Sequence, residues 1–513
     1  MTSSSSLSKS SSSLGRFAVR SRPKVNIDLD GQQDGLVNVY TTGDTIKGTV
    51  TINVDHDTRF DELEITFEGT SRTSVERQSM PGRTGAYQTF LRLRQPIDEA
   101  AYPTPRILEA GRSYDFPFVF VVPDRLLPHV CSHTKTNVHV ERSHTMLPPT
   151  FGDPMLARDG KTLLDDLTPD MCRIAYIVRA TLQRKPVSQN GSVNTLASVG
   201  KKVRVIPVVD EEPPLNISDD ETLYCVRKEK DVKRGFMRGK LGRIVVAAPQ
   251  PKPIQLNPTS NDDPSVVSTV ATVHLRFDPV GSEEPPRLGT VWSRLRATTF
   301  YSADPWGDYP STTSIRTWAQ VGRGMFTEAV PLSTMCVASA QWTKHTSADA
   351  PRRDSMQSTS STESLPGPSA SFSGNTFYTA SVVVPVTLPK SKTFVPTFHS
   401  CLIARIYSLE LSLSYHTPNA NILTPTTSLK VPIQLTCQSQ ADARPKNTAI
   451  EITQDEVNAE FFSPRSVAPR WISEPDVTPP EYTAVRTANL LPDRSRILPP
   501  STMANPGGMR TAC

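Results

Sequence analysis

Residues 60–68 read FDELEITFE, so apolar and polar side chains alternate along this segment. Leu63, Ile65 and Phe67 would lie on one side of an extended backbone, with acidic residues and a threonine on the other. Successive side chains of a strand point to opposite faces of its sheet, so this pattern is typical of a strand with one face in a hydrophobic core. The segment predicts a half-buried antiparallel sheet.

The same alternation recurs on both sides of this segment, in short stretches separated by turn residues. By this criterion the first part of the chain contains predicted strands at 25–29, 37–41, 46–52, 90–93, 114–122, 137–142, 174–183 and 201–209. Only residues 161–167 have a spacing that predicts a helical turn or two. Many short strands with turns between them favour a β-sandwich.

A second series of alternating segments follows residues 210–214, which read DEEPP and predict a linker. Its predicted strands are 242–246, 266–277, 288–301, 379–388, 404–414 and 428–437. Between them, residues 345–375 are dense in Ser, Thr and Pro. A loop this long is usually functional or disordered, and we expect a disordered insertion here.

The sequence therefore predicts an all-β protein with two antiparallel β-sandwich bodies. Folded residues would span 24–209 and 210–440, between a Ser-rich N-terminus at 1–23 and a Pro-bearing tail at 441–513. Both ends are too polar to bury a core of their own, so we expect them to be disordered.

Composition narrows the class of protein further. The chain has 513 residues, 46 of them Pro, and a net charge of only +5, so bulk attraction to nucleic acid is not expected. Its seven Cys are scattered and odd in number, which favours reduced thiols over a disulfide framework. The sequence shows neither the apolar core of a signal peptide nor an apolar run of the ~20 residues that a membrane helix needs. We therefore expect a cytosolic protein.

Three motifs in the first half carry a resemblance to a known family. They are Tyr40-x-x-Gly43-Asp44-x-Ile46-x-Gly48-x-Val50, then Phe116-Pro117-Phe118 with Pro123-x-x-Leu126-Leu127-Pro128, then Ile174-x-Tyr176-x-Val178-x-Ala180. In this order they resemble the N-terminal lobe of the arrestin superfamily, and best the fungal arrestin-related trafficking adaptors, or alpha-arrestins. Gly43 and Gly48 would permit a turn and a close approach of strands.

The second half carries a similar resemblance to the C-terminal arrestin lobe. The segments concerned are Phe394-Val395-Pro396-x-Phe398-x-Ser400, Ile406-Tyr407-x-Leu409 and Val431-Pro432-Ile433. The resemblance implies two arrestin-like lobes that recognise the cytosolic tails of membrane transporters or receptors. It also implies recruitment to the plasma membrane and endosomes.

The tail contains the motif Pro479-Pro480-Glu481-Tyr482. Two prolines favour the polyproline II conformation, so this segment can dock on the aromatic groove of a WW domain with little loss of conformational entropy. Pro479, Pro480 and Tyr482 are the predicted docking residues, and the family resemblance implies a WW-containing HECT-type ubiquitin ligase as the partner. A chance occurrence of the motif in a Pro-rich chain is the alternative.

Residues 222–243 form a basic cluster that includes Lys228, Lys230, Lys233, Arg234 and Lys240. One interpretation is a solvated strand face followed by a turn. The others are contact with anionic lipid headgroups or acidic cargo tails, and a supply of ubiquitin-acceptor lysines. Nucleic-acid binding is not expected, since aromatic residues are sparse here.

Two further features of the sequence bear on regulation. Ser355 follows Arg352 and Arg353 and resembles the substrate of a basophilic kinase, which makes it the predicted phosphosite. An unmodified loop is the alternative. The last lysine is Lys446, so a ligase docked at Tyr482 would find no acceptor side chain on the remaining tail.

One cluster of histidines raises a metal site as an alternative. His129, Cys131 and His133 would share one face of a strand, with His139 and His144 close behind. The segment lacks a second Cys pair, so solvent-facing or hydrogen-bonded imidazoles are the preferred interpretation. No phosphate-binding loop, dinucleotide fingerprint or H-E-x-x-H motif occurs in the sequence.

The interpretation that these observations favour is a non-enzymatic ubiquitin-ligase adaptor without a metal or other cofactor. Its lobes would bind membrane cargo, and its tail would recruit the ligase for cargo ubiquitination and endocytosis. Two alternatives remain open at this point. One is a sorting scaffold or signalling adaptor, similar to retromer-type subunits, that acts without a ligase. The other is a zinc enzyme that uses the histidine cluster.

Overall fold

The structure is a computed structural model, and it confirms the predicted all-β fold class. It describes residues 22–32, 37–76, 82–155, 163–186, 193–217, 223–234, 239–257, 267–316, 322–346, 366–417 and 424–438. Most of these residues lie in strands, and the two α-helices are short. The domain boundaries expected from the sequence stay predictions.

The first half of the chain supplies ten strands to this fold. They are β1 (Lys24–Leu29), β2 (Val39–Tyr40), β3 (Thr45–Asn53), β4 (Thr58–Arg59), β5 (Glu62–Glu76), β6 (Arg83–Arg94), β7 (Ile107–Leu108), β8 (Ser113–Val121), β9 (Cys172–Arg184) and β10 (Asn194–Val205). Helix α1 (Val138–Thr145) lies between β8 and β9 and follows a short 3₁₀ helix, Pro128–Cys131. A second 3₁₀ helix spans Glu99–Ala101.

The second half supplies the other strands and a one-turn helix. The strands are β11 (Arg227–Lys233), β12 (Lys240–Ala247), β13 (Ile254–Leu256), β14 (Ser268–Pro279), β15 (Arg287–Ser302), β16 (Arg323–Cys336), β17 (Thr343–Thr346), β18 (Thr376–Thr387), β19 (Phe398–His399), β20 (Ile403–His416), β21 (Thr426–Ile433) and β22 (Leu435–Cys437). Helix α2 (Thr312–Arg316) lies between β15 and β16.

Two sheets of the first half enclose the first core. One has the order β1-β3-β8 and the other β2-β10-β9-β5-β6. Alternate residues of their strands face each other, and the rings of Phe67 on β5 and Phe120 on β8 lie 5.9 Å apart. The Leu63, Ile65 and Phe67 face predicted from the sequence is fully buried in this core. The segment for which the sequence predicts a half-buried strand is therefore part of β5, and its apolar side chains line the inside of the sandwich.

Two glycines of the first half do what the sequence predicted. Gly43 has a φ of +83° in the turn that leads into β3, a backbone conformation that side chains disfavour. Gly48 lies where β1 and β8 flank β3, and a Cβ there would come within 2.2 Å of the Asp28 carbonyl oxygen and 2.7 Å of the Phe118 ring. Any larger residue at 48 would therefore push the strands apart.

Two larger sheets enclose the second core. Their orders are β11-β12-β14-β18-β17 and β16-β15-β20-β19, and β21 adds to β20. Leu275 and Phe277 of β14 face Leu295 of β15 and Leu409 of β20 in one buried cluster. Short parallel pairs also occur, such as β13 with β22. This arrangement places β11, with its many charges, at the edge of a sheet.

The two halves also share buried residues with each other. The first core cluster includes residues from the second half, namely Tyr301, Val395, Phe398, Leu402, Ile403 and Cys437. The rings of Phe151 and Phe398 meet edge to face at 5.4 Å. In return, Leu167 of the first half belongs to the second core. Each core is therefore completed by residues of the other half.

The predicted strand at 137–142 is wrong, because this segment begins helix α1. Val138 and Val140 flank a histidine and mimic a strand alternation, but Asn137 caps a helix. Its side-chain oxygen accepts a hydrogen bond from the backbone N–H of Val140 at 3.0 Å. Asparagine is a preferred N-cap residue because it satisfies an N–H that the first helical turn leaves free.

The predicted helical turn at 161–167 is also wrong where the structure describes it, at residues 163–167. The side chains of Asp165 and Asp166 accept hydrogen bonds from the backbone N–H groups of Leu167 and Thr168, at 3.1 and 3.2 Å. Asp side chains that bond to the backbone two residues on favour turns over helix. Leu167 accordingly has a φ of 60°.

Strand β16 was not predicted from the sequence. It lies at the edge of its sheet, and among the described strands it pairs with β15 alone. Most of its residues are exposed or half-buried, and Val330 is the buried one. An edge strand with so little buried surface has a weak apolar alternation, so the pattern that revealed the central strands gave no signal here.

Candidate functional site: a basic edge strand and a buried cysteine–histidine cluster

The predicted docking motif and phosphosite lie outside the described residues. These are Pro479, Pro480 and Tyr482 in the tail and Ser355 in the predicted insertion. The described ends of that insertion, residues 345–346 and 366–375, pack on the body of the protein. The ligase contact and the phosphosite remain predictions.

The basic cluster lies at the edge of the second half. Lys228, Lys230 and Lys233 lie on β11, Arg234 follows it, and Lys240 begins β12. Since β11 pairs with β12 and with no other described strand, the outer side of β11 faces away from the sheet. Charged side chains on such an edge hinder pairing with another chain.

Most of the predicted basic residues have partners within the described residues. Lys240 forms an ion pair with Asp231 at 2.7 Å, Arg234 pairs with Glu283, and the Lys230 ammonium donates to the Thr426 carbonyl oxygen at 2.8 Å. Among the described residues, exposed Lys228 and Lys233 have no ion-pair partner. Carboxylates therefore balance two of these five charges, a carbonyl oxygen holds a third, and two lysines remain open to solvent.

A network of acidic residues holds the basic strand in place. Arg243 on β12 bonds to Asp231 at 3.0 Å and to Glu229 at 3.3 Å. Hydrogen bonds from Lys240 and Arg243 lower the pKa of Asp231, against the opposing effect of burial. These contacts favour the interpretation of β11 as a solvated strand face.

The segment that returns from the predicted insertion docks on the same strand. The Arg227 guanidinium donates to the Pro368 carbonyl oxygen at 3.0 Å, and the Ala370 N–H donates to Glu229 at 3.2 Å. The Ser369 N–H donates to buried Asp278 at 2.7 Å. The basic strand and the end of the insertion thus form one continuous surface.

The second candidate site is a buried group of two cysteines and two histidines. Cys131 ends the 3₁₀ helix after β8, His133 follows it, and His144 lies in the last turn of α1. Cys401 comes from the tight turn between β19 and β20, in the second half of the chain. One ligand atom from each of the four side chains lies within 4.8 Å of the others.

The distances within this cluster are short. The Cys131 Sγ lies 3.2 Å from His133 Nε2 and 3.7 Å from His144 Nδ1. His133 Nδ1 lies 3.1 Å from the Thr134 carbonyl oxygen. Because a carbonyl oxygen can only accept a hydrogen bond, this contact assigns the N–H of a neutral His133 to Nδ1 and leaves the lone pair of Nε2 directed at the sulfur.

Burial sets the protonation of the cluster. Cys131 and His144 are each 1% exposed and Cys401 is 4% exposed, while His133 is half-buried. Burial lowers the pKa of His144 to about 3, with a smaller effect from neighbouring His133. Burial also raises the pKa of Cys401 to about 12, and the nearby Cys131 thiol adds to the shift. Without a bound cation, burial therefore favours a neutral His144 imidazole and a protonated Cys401 thiol at neutral pH.

The turn that presents Cys401 is rigidly held. The Ser400 hydroxyl donates to the Ile403 carbonyl oxygen at 2.7 Å, which closes the turn. The Trp306 backbone N–H donates to the Cys401 carbonyl oxygen at 2.8 Å, and its indole N–H donates to Leu402 at 3.3 Å. This anchoring aims the Cys401 side chain at the first half.

Sequence reasoning found part of this cluster and misplaced part of it. Cys131, His133 and His144 do come together, but through two short helices and not on one strand face. His129 and His139 are exposed and lie outside the cluster. Cys401 was missed because only the fold brings it next to Cys131, and no local pattern marks it.

Other contacts join the same two regions. The Thr136 N–H donates to the Gly307 carbonyl oxygen at 2.9 Å, and the hydroxyls of Ser143 and Tyr309 bond at 2.8 Å. Arg405 on β20 is completely buried and donates to the Leu167 carbonyl oxygen at 2.8 Å. The cysteine–histidine cluster therefore lies within a larger junction between the halves.

A cleft of the first half offers no comparable set of ligands. It has a volume of about 670 Å³ and lies beside the ends of β5 and β6. Its charges pair with one another, Arg94 with Glu62 and Arg106 with Glu99. Such pairing indicates a structural role for these side chains.

Comparison with known proteins bears on the first half of the chain. None of the helices in the described segments is long and apolar enough to cross a membrane. No curated protein matches the chain. Residues 25–211 match the family described as arrestin (or S-antigen), N-terminal domain, so this part of the chain is similar to that domain.

Proposed function

We propose that this protein is an adaptor that brings a ubiquitin ligase to membrane cargo. The observation that carries the proposal is the match of residues 25–211 to the arrestin N-terminal domain. This domain is a non-enzymatic adaptor fold and suggests a scaffold role in trafficking. The motif Pro479-Pro480-Glu481-Tyr482 beyond the folded body adds the means to recruit a WW-domain protein.

Each part of the chain has a role in this proposal. The β-sandwich body recognises the cytosolic tail of a transporter or receptor, in the manner of an alpha-arrestin. Pro479, Pro480 and Tyr482 dock a HECT-type ligase, which performs the chemistry. Holding ligase and cargo on one chain raises their effective concentration and turns an encounter in solution into a local one. The adaptor would act in the cytoplasm, at the plasma membrane and on endosomes.

The basic edge strand is a secondary contact surface in this proposal. Lys228 and Lys233 are exposed and have no described ion-pair partner, so they are the basic residues most available to acidic cargo tails, to anionic lipid headgroups or to ubiquitin. Lys230, Arg234 and Lys240 are already engaged within the protein. Because the tail has no lysine after Lys446, acceptors would lie on the body or on the cargo.

The test is the binding of purified WW domains of a HECT ligase to the full chain and to its Tyr482→Ala variant. We expect a Kd on the order of micromolar for the full chain, as is usual for a single short docking motif. Removing an aromatic anchor costs about 2 kcal/mol or more, so Tyr482→Ala should weaken binding by at least about thirtyfold.

The chain provides a matched control for this experiment. Pro499 and Pro500 form a second proline pair in the tail that lacks a tyrosine two positions on. A variant with both changed to Ala should bind as tightly as the original chain. If the full chain does not bind, or if both variants weaken binding equally, the motif is incidental and a scaffold without a ligase replaces the adaptor.

A further inference from the structure

We propose that Cys131, His133, His144 and Cys401 form a tetrahedral zinc site that ties the two halves of the chain together. Cys131 Sγ, His133 Nε2, His144 Nδ1 and Cys401 Sγ would be the four ligand atoms. The inference is independent of the ligase and cargo functions, because it uses none of their residues.

The spacing of the ligand atoms fits zinc. Zn–S bonds of about 2.3 Å and Zn–N bonds of about 2.0–2.1 Å place tetrahedral ligand atoms about 3.3–3.8 Å apart. The separations from Cys131 Sγ to the two imidazole nitrogens are 3.2 and 3.7 Å, and all four atoms lie within 4.8 Å of one another. Small side-chain rotations are enough to centre an ion among them.

The type of ligand selects the metal. Thiolate and imidazole ligands together favour zinc over hard cations such as magnesium or calcium, which take oxygen ligands. On binding, each thiol loses its proton and the two imidazoles remain neutral. The hydrogen-bond geometry of His133 already leaves Nε2 with its lone pair toward the cluster, as a zinc ligand requires.

The burial of the cluster indicates a structural site. Structural zinc sites have four protein ligands, whereas catalytic sites keep one position open for water or substrate. Here four ligands are present, three of them buried, within the junction of the two halves. Since Cys401 lies on a turn fixed by Trp306 and Ser400, a bound ion would link that turn to the 3₁₀ helix and α1.

Two other states of the same four side chains compete with this proposal. One is a metal-free hydrogen-bonded cluster, in which the thiols donate to the imidazoles. The other is a disulfide between Cys131 and Cys401, which would need an external oxidant. The two cysteines are free in the structure.

The experiment measures zinc by mass spectrometry in the full chain, purified with a thiol reductant and without chelators. We expect about one zinc ion per chain. His144→Ala and Cys401→Ser should lose it. His139→Ala and Cys336→Ser are the matched controls, an exposed histidine of the same helix and an exposed cysteine, and both should keep the full amount.

A second measurement separates metal binding from folding. After removal of zinc with a chelator, the original chain is titrated with Co²⁺, and we expect the visible absorption of tetrahedral cobalt bound to thiolate. Cys401→His keeps four ligands and should retain one equivalent of metal, although Cys401→Ser loses it.

Three results would overturn the proposal. The first is an original chain that contains no zinc and takes up no cobalt after reduction. The second is full zinc content in both His144→Ala and Cys401→Ser. The third is a Cys131–Cys401 disulfide as the main state of the chain when it is purified from cells with neither reductant nor chelator.

Discussion

Two polar side chains, one at the start of β20 and one in the turn before it, contact the first half of the chain, and these two contacts differ in chemistry. Cys401 joins a cluster of thiol and imidazole side chains. Arg405, four residues on, contributes a guanidinium that is completely buried. It donates to the carbonyl oxygens of Asp166 and Leu167, at 3.3 and 2.8 Å, and lies 4.7 Å from the ring centre of Phe151.

The two contacts therefore differ in what they require: the Arg405 contact needs no ligand, whereas the cysteine–histidine cluster depends on a metal ion. Arg405 is paired with carbonyl oxygens and ring faces, and its Nε and Nη1 have no hydrogen-bond partner among the described residues. Burial lowers the pKa of Arg405, but arginine starts so high that it stays charged at neutral pH. The Arg405 contact therefore forms in any ordinary buffer. The cluster, in contrast, changes its strength with the supply of a metal ion.

The largest effect is expected from Arg405→Ala. It removes the hydrogen bonds that the guanidinium donates and leaves a cavity beside Phe151. We therefore expect the free energy of unfolding to fall by about 3 kcal/mol. Arg405→Met fills most of the space without burying a charge and should cost about 1 kcal/mol. Urea unfolding of the full chain measures both losses.

Two controls sharpen this result. Arg296→Met removes a half-exposed arginine that pairs with Glu410 and should change stability by less than about 1 kcal/mol. The loss caused by Arg405→Ala should be the same with and without a chelator. If the chelator abolishes that loss, the Arg405 contact depends on the bound metal ion, and the two contacts do not act independently.

A smaller effect is expected where the cluster's own helix meets the second half. Tyr309→Phe removes the hydroxyl that bonds to Ser143, next to His144, and should lower the free energy of unfolding by about 1 kcal/mol. The exposed Tyr87 gives the matched control, since Tyr87→Phe should have no effect. Adding Ser143→Ala to Tyr309→Phe should cost little more, because the shared bond is already gone. Equal losses from the two tyrosine variants would exclude a contribution of this bond to the junction.

The smallest effect concerns the ion pair beside the Arg405 contact. The hydrogen bond from Lys392 lowers the pKa of Asp165, against the opposing effect of partial burial. A lowered pKa stabilises the fold above the carboxyl's ordinary value of about 3.9, and this contribution is lost as the pH falls toward the lowered value. The pair is partly exposed, so Asp165→Asn should cost about 0.5 kcal/mol at pH 7 and nothing near pH 3.

A series of unfolding measurements from pH 7 to pH 3 tests this expectation. Lys392→Met is the partner control, and in its background Asp165→Asn should cost less and show a weaker pH dependence, because among the described residues only the Leu167 N–H still bonds to the carboxylate. A penalty for Asp165→Asn that grows as the pH falls would contradict the assigned sign.

The sequence predicted the sandwich well where one face of a strand is buried. Leu63, Ile65 and Phe67 reveal β5 because a strand with one apolar face must alternate. Strand β16 shows no such alternation, because its edge position buries little beyond Val330. At residues 138–145 a short alternation of valines wrongly predicted a strand, because capping by Asn137 favours a helix there.

The candidate sites also differ in how much of each can be recognised from the sequence alone. Pro479, Pro480 and Tyr482 are visible in the sequence because docking on a groove needs only a short continuous segment. Cys131, His133 and His144 could be suspected from their closeness in the chain. Cys401 could not, because its place beside Cys131 results from the packing of β19 against α1. A site assembled across the fold leaves no local pattern.

The shared cores limit how this sequence can change over evolutionary time. The family match ends at residue 211, but the hydrophobic core of the matched region also contains Tyr301, Phe398 and Ile403 from the second half. A substitution at Phe151, for example, alters the surface on which Phe398 rests. Residues far apart in the gene therefore have to fit one another, and we expect that replacing one half alone would disturb the packing of the other.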